Sequence, residues 1–86
     1  MKTTPRTRKL GEMLREALAE VLREDVSDPR VEFATVTSVQ VSSDLSLADV
    51  YATTHGDEER YKELLDGLRS ADGRIRAGLA RRVQMR

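Results

Sequence analysis

The sequence predicts a small α+β domain with the element order α-β-β-α-α, because the spacing of its apolar residues changes along the chain. An apolar stripe at helical spacing runs from Leu10 to Leu22, and β-branched residues at a spacing of two follow from Val31 to Val41. A second helical stripe begins at Tyr61. A chain of 86 residues hides only about 60–65% of its unfolded surface, so residues 1–86 are expected to form one domain with one modest core.

The first helix is predicted from Arg8 to about Val26, since apolar residues recur at intervals of three and four through this segment. Thr7 stands directly before the stripe and is the expected N-cap, because its hydroxyl can accept from a free amide group of the first turn. Residues 27–29, Ser-Asp-Pro, are a turn sequence, and proline disfavours helical geometry at the residue before it. Residues 1–6 are expected to form a flexible leader.

Two strands are predicted at Val31–Val41 and Leu47–Thr54, joined by about five polar-rich residues as an antiparallel hairpin. Alternation places these residues of the first strand on one face: Val31, Phe33, Thr35, Thr37, Val39 and Val41. On the second strand it groups Ala48, Val50 and Ala52. A two-stranded sheet leaves unpaired edges, so a third strand is expected to be missing from this chain.

The second helix is predicted to begin near Asp57, where consecutive acids stand at the end that the helix dipole makes positive. Its apolar stripe runs from Tyr61 to Ala71, and Gly73 interrupts it. A shorter stripe at a spacing of four then predicts a third helix. The first helix is expected to pack across the hairpin, which leaves the second and third helices as the nucleic-acid side.

The charged residues are unevenly distributed, although the formal net charge is zero. Residues 1–9 contain four basic residues and no acid, and residues 74–86 contain five arginines and no acid. Residues 31–56 contain three acids and neither lysine nor arginine. Converging basic residues create a local field that favours phosphate even when the net charge is zero. The alternative is that these arginines lie along the edge of the core and are solvated.

Residues that could perform catalysis or bind a metal are scarce. The chain has no cysteine and one histidine, His55, which falls in a predicted loop. No glycine-rich phosphate loop follows a strand, and the acids at residues 57–59 do not point at one site. We therefore expect no enzyme activity, cofactor, metal or small-molecule substrate. No apolar run approaches the roughly 20 residues that span a membrane, and no secretory signal is visible, so a cytoplasmic monomer is expected.

The segment from Leu68 to Arg82 carries the strongest indication of function. Two amphipathic helices meet there at a corner of small residues, Ala71-Asp72-Gly73, where glycine lets the chain turn sharply and lets a partner's backbone approach. The next helix presents free amide groups and arginines beside the corner, and both attract phosphate. Aromatic residues are few and stand at periodic positions suited to core packing, so RNA binding by backbone and shape is favoured over base stacking.

Several short motifs occur in a specific order. They are a basic leader before an amphipathic helix, Asp28-Pro29-Arg30, Val36-Thr37-Ser38-Val39-Gln40-Val41-Ser42-Ser43-Asp44-Leu45, Ala48-Asp49-Val50-Tyr51, and Ala71-Asp72-Gly73-Arg74-Ile75-Arg76 before a basic helix. In this order they resemble ribosome-binding factor A, a family of bacterial factors for small-subunit maturation. The resemblance implies a KH-like fold of the second type, in which Ala-x-Gly replaces the usual Gly-x-x-Gly between the last two helices.

The resemblance also implies a function. It implies binding to the immature 30S ribosomal subunit and its 16S rRNA, and a role in late maturation and rRNA processing. The family's domain closes with a Pro-x-Leu-x-Phe strand after the basic helix, and this sequence lacks that strand.

The candidate RNA-binding surface combines the leader, the corner and the last helix. Its residues are Arg6, Arg8, Lys9, Arg69, Ala71, Asp72, Gly73, Arg74, Arg76, Arg81, Arg82 and Arg86. Two rival functions remain. One is a protein-interaction module whose hairpin edge adds to a partner's sheet. The other is binding to double-stranded DNA, which is disfavoured because the basic helix has no polar set suited to base edges.

Overall fold

The computed structural model describes residues 4–83, which form an α+β fold in which three α-helices accompany a two-stranded antiparallel sheet. The elements are α1 (Pro5–Glu24), a short 3-10 helix (Pro29–Val31), β1 (Thr35–Val41), β2 (Ala48–Thr53), α2 (Glu58–Ser70) and α3 (Asp72–Arg82). The predicted fold class and the predicted order α-β-β-α-α are therefore confirmed. No helix within residues 4–83 has an apolar stretch long enough to cross a membrane.

The first helix begins earlier than its apolar stripe. Its N-cap is Thr4, whose hydroxyl accepts from the Thr7 amide at 3.2 Å, while the Thr7 hydroxyl accepts from the Thr4 amide at 2.9 Å. Pro5 occupies the first helical position, where its fixed φ suits the helix and its missing N–H costs nothing. The prediction of Thr7 as N-cap is wrong, because Thr7 is the second member of this capping box.

The flexible leader predicted for residues 1–6 is wrong at residues 4–6, because Thr4 is the N-cap of α1. Pro5 and Arg6 lie in the first turn of α1, inside the capping box that pairs the Thr4 and Thr7 amide groups. Residues 1–3 lie outside the described residues.

The hydrophobic core lies between α1, β1, the 3-10 helix and the second half of α2, with Val21 fully enclosed at its centre. Its buried apolar residues are Leu18, Val21, Leu22, Val26, Val31, Val36, Val39, Val41, Leu64 and Ala71. The axis of α1 lies close to β1 because Gly11 has no side chain. A Cβ at Gly11 would collide with the carbonyl oxygen of Val39. Gly11 therefore sets how closely the first helix can cover the sheet.

The first strand is shorter than predicted and carries a β-bulge. The chain forms the 3-10 helix before it, because the Asp28 carboxylate caps the Arg30 amide at 2.9 Å. Val36 pairs with Ala52, but the next pair is Ser38 with Tyr51, so Thr37 is an extra residue. One extra residue reverses the inside-outside alternation.

The face predicted for the start of the first strand is consequently wrong. Thr35 and Thr37 are exposed and Val36 is buried, whereas Val39 and Val41, beyond the bulge, are buried, so the six residues do not share one face. Phe33 also lies outside the core, with 64% of its surface exposed.

The hairpin closes through a turn that the Asp44 carboxylate organises. This carboxylate accepts from the hydroxyl of Ser42 at 2.8 Å and from the hydroxyl and amide of Ser46 at 2.7 and 3.1 Å. These hydrogen bonds favour the charged form and lower the pKa of Asp44 to about 2. The predicted antiparallel hairpin is confirmed, and Ala48 and Val50 lie opposite Val41 and Val39 on the helix-facing side.

The last helix lies against the C-terminal half of α1, and a glycine sets this contact. A Cβ added to Gly78 would approach a Val21 methyl carbon at 2.9 Å and would also meet the Asp25 carboxylate. Gly73, in the first turn of the same helix, has no atom within 4 Å of the same position. Both glycines of α3 have helical backbone, but Gly78 is packed against α1 and Gly73 faces open space.

Replacing Gly78 with alanine is expected to destabilise the fold by about 1–3 kcal/mol, because the added methyl overpacks the α1–α3 contact. Gly73→Ala is the matched control. It should raise the free energy of unfolding by about 0.5–1 kcal/mol, as expected for glycine to alanine in an exposed helix. Urea unfolding measures both changes. A stabilising Gly78→Ala would contradict the close contact between α1 and α3.

Candidate nucleic-acid interface

The corner between α2 and α3 is built on a single residue, Ala71. Its side chain is 5% exposed, and its backbone angles are φ −93° and ψ 7°. Its amide donates to the Gly67 carbonyl at 3.0 Å, and its carbonyl accepts from the Ile75 amide at 2.8 Å. The corner is therefore a change of direction within a nearly continuous helix, anchored by a buried methyl group.

The turn does not depend on Gly73, contrary to the sequence-based interpretation. Among the described residues, a positive φ occurs at Leu45 and Gly56 and not at the corner. Gly73 instead leaves bare, exposed backbone in the first turn of α3. No side chain caps that turn. That Gly73 lets the backbone of a partner approach the corner closely remains a prediction.

The arginines of α3 divide into two groups, and Arg82 belongs to the fold. Its guanidinium donates to Glu20 at 2.9 Å, to both oxygens of Asp25 at 2.7 and 3.2 Å, and to the Gly78 carbonyl at 3.0 Å. Only 20% of the Arg82 side chain is exposed. Arg81 adds one bond to Asp25 at 2.7 Å, although most of its side chain remains exposed.

The same contacts perturb the ionisation of all three groups. Hydrogen bonds from Arg82 are the largest influence on both acids, and they lower the pKa of Glu20 and of Asp25 below the usual values. The hydrogen bond with Asp25, followed by the one with Glu20, raises the pKa of Arg82. The Arg82 guanidinium therefore fastens α3 to the end of α1 and has few donors left for a phosphate.

The arginines at the corner itself are accessible. Arg69, Arg74 and Arg76 are exposed, and within residues 4–83 neither Arg69 nor Arg74 forms an ion pair. Arg76 bonds Asp72 at 3.0 Å, one turn earlier on α3, and both side chains are mostly exposed. Exposed pairs of this kind contribute little, so a phosphate can displace Asp72 from Arg76.

The basic residues at the start of α1 do not join this group. Arg6, Arg8 and Lys9 are exposed in the first turns of α1. α3 runs antiparallel to α1, since Gly78 lies beside Val21 and Val83 lies in a groove with Met13. The corner therefore lies beyond the far end of α1, at a separation of roughly 25 Å along the helix axis. The last candidate, Arg86, lies outside the described residues.

The acids that hold Arg82 were missed in the sequence because they are distant along the chain. Asp25 is separated from Arg82 by more than fifty residues, and the segment around Arg82 contains no acid of its own. The acids at the end of α1 form a group in sequence, Glu20, Glu24 and Asp25. That grouping is a signal, but only the packing of α3 on α1 reveals which arginine it engages.

No group of three His, Asp or Glu side chains within residues 4–83 could hold a metal ion. His55 is exposed in the loop before α2.

The geometry defines a class of protein: an α+β, KH-like domain whose last two helices meet at a short corner bearing exposed arginines. The sequence profile described as ribosome-binding factor A matches residues 6–86. The chain belongs to the ribosome-binding factor A family.

Relatives and a solved structure agree with this assignment. The chain is 41% identical over 81 residues to a ribosome-binding factor A of Desulfitobacterium hafniense, covering 94% of this chain and 65% of that protein. It is 41% identical over 80 residues to the one of Halothermothrix orenii, covering 93% of this chain and 66% of that protein. The chain thus spans about two thirds of the length of these relatives. The crystal structure of ribosome-binding factor A from Thermus thermophilus superposes with a TM-score of 0.80 at 39% identity, covering 93% of this chain and 84% of that one.

Replacing Arg82 with glutamine is expected to destabilise the fold at about pH 7. The unfolding free energy of the variant should also depend less on pH in the acid range. Glu20 and Asp25 have lowered pKa values in the folded state, so they stabilise it above their ordinary values of 4.5 and 3.8. This stabilisation is lost as the pH falls. The difference in unfolding free energy between wild type and Arg82→Gln should therefore shrink below about pH 4.

The control for this experiment is Arg74→Gln, which removes the same charge from an exposed position of the same helix. Its unfolding free energy should match that of the wild type across the pH range. Urea unfolding at a series of pH values measures both variants. Equal stability of Arg82→Gln and wild type at neutral pH would contradict the role of Arg82 in the fold.

Proposed function

We propose that the chain is a non-enzymatic, cytoplasmic ribosome assembly factor that binds the immature 30S subunit through its 16S rRNA and promotes late maturation and rRNA processing. The observation that carries this proposal is the corner between α2 and α3, where exposed arginines surround bare backbone in a chain of this family. The relatives' shared name, ribosome-binding factor A, supports the ribosome as partner.

The chemistry of the corner suits a phosphate backbone. Arg69 and Arg74 can each offer two parallel N–H donors to a phosphate, which is the geometry in which arginine binds most strongly. The first turn of α3 adds backbone amide groups that no side chain caps. Gly73 has no side chain to hold the rRNA backbone away. The buried Ala71 keeps these groups at fixed positions.

The other candidate residues have different parts in the proposal. Arg82 and, in part, Arg81 fix the angle of α3 and so position the corner. Arg6, Arg8 and Lys9 form a second basic site at the opposite end of α1, where they can bind a separate rRNA segment. Arg86 remains in the proposed basic set. Asp72 acts as an exchangeable partner that holds Arg76 until phosphate replaces it.

A protein-interaction module that uses the hairpin edge is the second candidate function. It is favoured by the outer edge of β2, which has no strand partner within residues 4–83. Backbone pairing at this edge would depend little on salt and would not require the arginines.

Replacing both Arg69 and Arg74 with glutamine should lower affinity for isolated immature small subunits about tenfold at moderate salt, because two phosphate contacts are lost. The slope of log affinity against log salt should become shallower by about 1.5. Fluorescence titration at several salt concentrations measures both quantities.

The matched control is Arg15→Gln/Arg23→Gln, which removes the same charge from α1 beside Phe33. This variant should bind subunits with the wild-type affinity and with the wild-type slope of log affinity against log salt. If the Arg69→Gln/Arg74→Gln variant binds as tightly as wild type, with an unchanged slope, the corner is not the rRNA site. If the wild type and both variants bind with an affinity that does not change with salt, the hairpin edge is favoured as the binding site.

A further inference from the structure

One flank of α2 exposes large apolar side chains that the core does not use. Tyr61 is 39% exposed and Leu65, one turn later, is 52% exposed. They stand beside the stripe that α2 buries, which contains Leu64 and Gly67. A shallow, largely open groove of about 440 Å³ lies on this flank, lined by Gly56, Asp57, Glu58, Tyr61, Lys62 and Leu65.

The floor of the groove is held in place by the fold. The Tyr61 hydroxyl hydrogen-bonds the Thr53 hydroxyl at 2.7 Å, which ties α2 to the end of β2. Thr53 shares its face of β2 with Tyr51, which is half exposed. The Tyr61 side chain is therefore held at a fixed position beside the end of β2. Ordered aromatic side chains lose little conformational entropy on binding and are common anchors of protein interfaces.

The charge around the groove is unfavourable for RNA. Asp57 and Glu58 line it together with one basic residue, Lys62, and α2 with its N-cap carries five acids and three basic residues. The preceding segment, residues 31–56, contributes acids and no lysine or arginine. An acidic rim repels phosphate and attracts cationic side chains.

The groove also borders the proposed rRNA site. Arg69 follows Leu65 by one helical turn, so the two side chains are neighbours on the α2 surface. A ligand of the corner and a ligand of the groove would therefore be adjacent on the same partner.

We propose that this groove docks a lysine- or arginine-rich protein segment that carries an apolar side chain, supplied by a protein of the immature small subunit. The inference rests on the proposed function, since it takes the subunit as the partner. The apolar side chain of the segment would pack on Tyr61 and Leu65. Its basic side chains would pair with Asp57 and Glu58. The chain would then bind rRNA with the corner and protein with the neighbouring flank of α2.

Two variants and two ligands test this proposal. Leu65→Gln keeps a good helix former while removing the apolar contact, and Glu58→Lys reverses one charge of the rim. The ligands are isolated immature small subunits and protein-free 16S rRNA prepared from them. Both variants should bind subunits about tenfold more weakly than wild type, and Leu65→Gln should bind protein-free rRNA equally well.

Glu59→Lys is the matched control for Glu58→Lys, because it makes the same charge change one residue away and outside the groove. It should bind subunits no more weakly than wild type. The sign of the Glu58→Lys effect separates protein from RNA, since an added cation would strengthen binding if phosphate occupied the groove. Photocrosslinking from p-benzoylphenylalanine placed at position 65 should join the chain to a subunit protein.

The proposal is overturned if Leu65→Gln and Glu58→Lys bind subunits as tightly as wild type. It is also overturned if the crosslink forms to rRNA or to a second copy of the chain. Failure of the wild-type chain to bind either ligand would instead remove the proposed function, and the groove's assignment with it.

Discussion

The attachment of α3 to the end of α1 by Arg82 is the interaction on which the functional surface depends. One guanidinium bonds Glu20, Asp25 and the Gly78 carbonyl, and Gly78 allows the two helices to approach closely enough for these bonds to form. This attachment sets the direction of α3 relative to the core. The single corner residue, Ala71, is buried in the same core, so the position of the exposed arginines follows from both constraints.

The arrangement also explains how a chain with no net charge can present a basic surface. The acids at the end of α1 neutralise Arg82 and part of Arg81 within the fold. The N-terminal end of α2 carries the N-cap Asp57 and the first-turn acids Glu58 and Glu59, whereas Arg69 lies in its last turn. Acidic and basic residues alternate between these two ends of α2, but the acids at its start and Arg69 in its last turn lie at opposite ends of the helix.

The sequence predicted those features that depend on local periodicity. The apolar stripe of α1 and the alternation of Val39 and Val41 each identify a buried face without any knowledge of the partner element. The bulge at Thr37 was not predictable in this way, because the extra residue is defined by the register with β2. The start of α1 was missed because Thr4 and Pro5 lie before the first apolar residue of the stripe.

The candidate site was predictable in its location but not in the roles of its members. Counting arginines identified the segment around the corner. It treated Arg74 and Arg82 alike, since no nearby acid distinguishes them in sequence. Their difference arises from helix packing, which brings Asp25 to Arg82 and leaves Arg74 in solvent. Long-range ion pairs of this kind need a tertiary structure to be seen.

The division of the arginines is most directly tested by nitrogen-15 NMR of the arginine Nε–H groups during titration with 16S rRNA fragments. The Nε–H groups of Arg69 and Arg74 should shift as phosphate binds. The Arg82 Nε–H, which donates to Glu20, should keep its frequency throughout the titration. A shift of Arg82 as large as that of Arg74 would mean that rRNA displaces the acids of α1, and it would contradict the structural role assigned to Arg82.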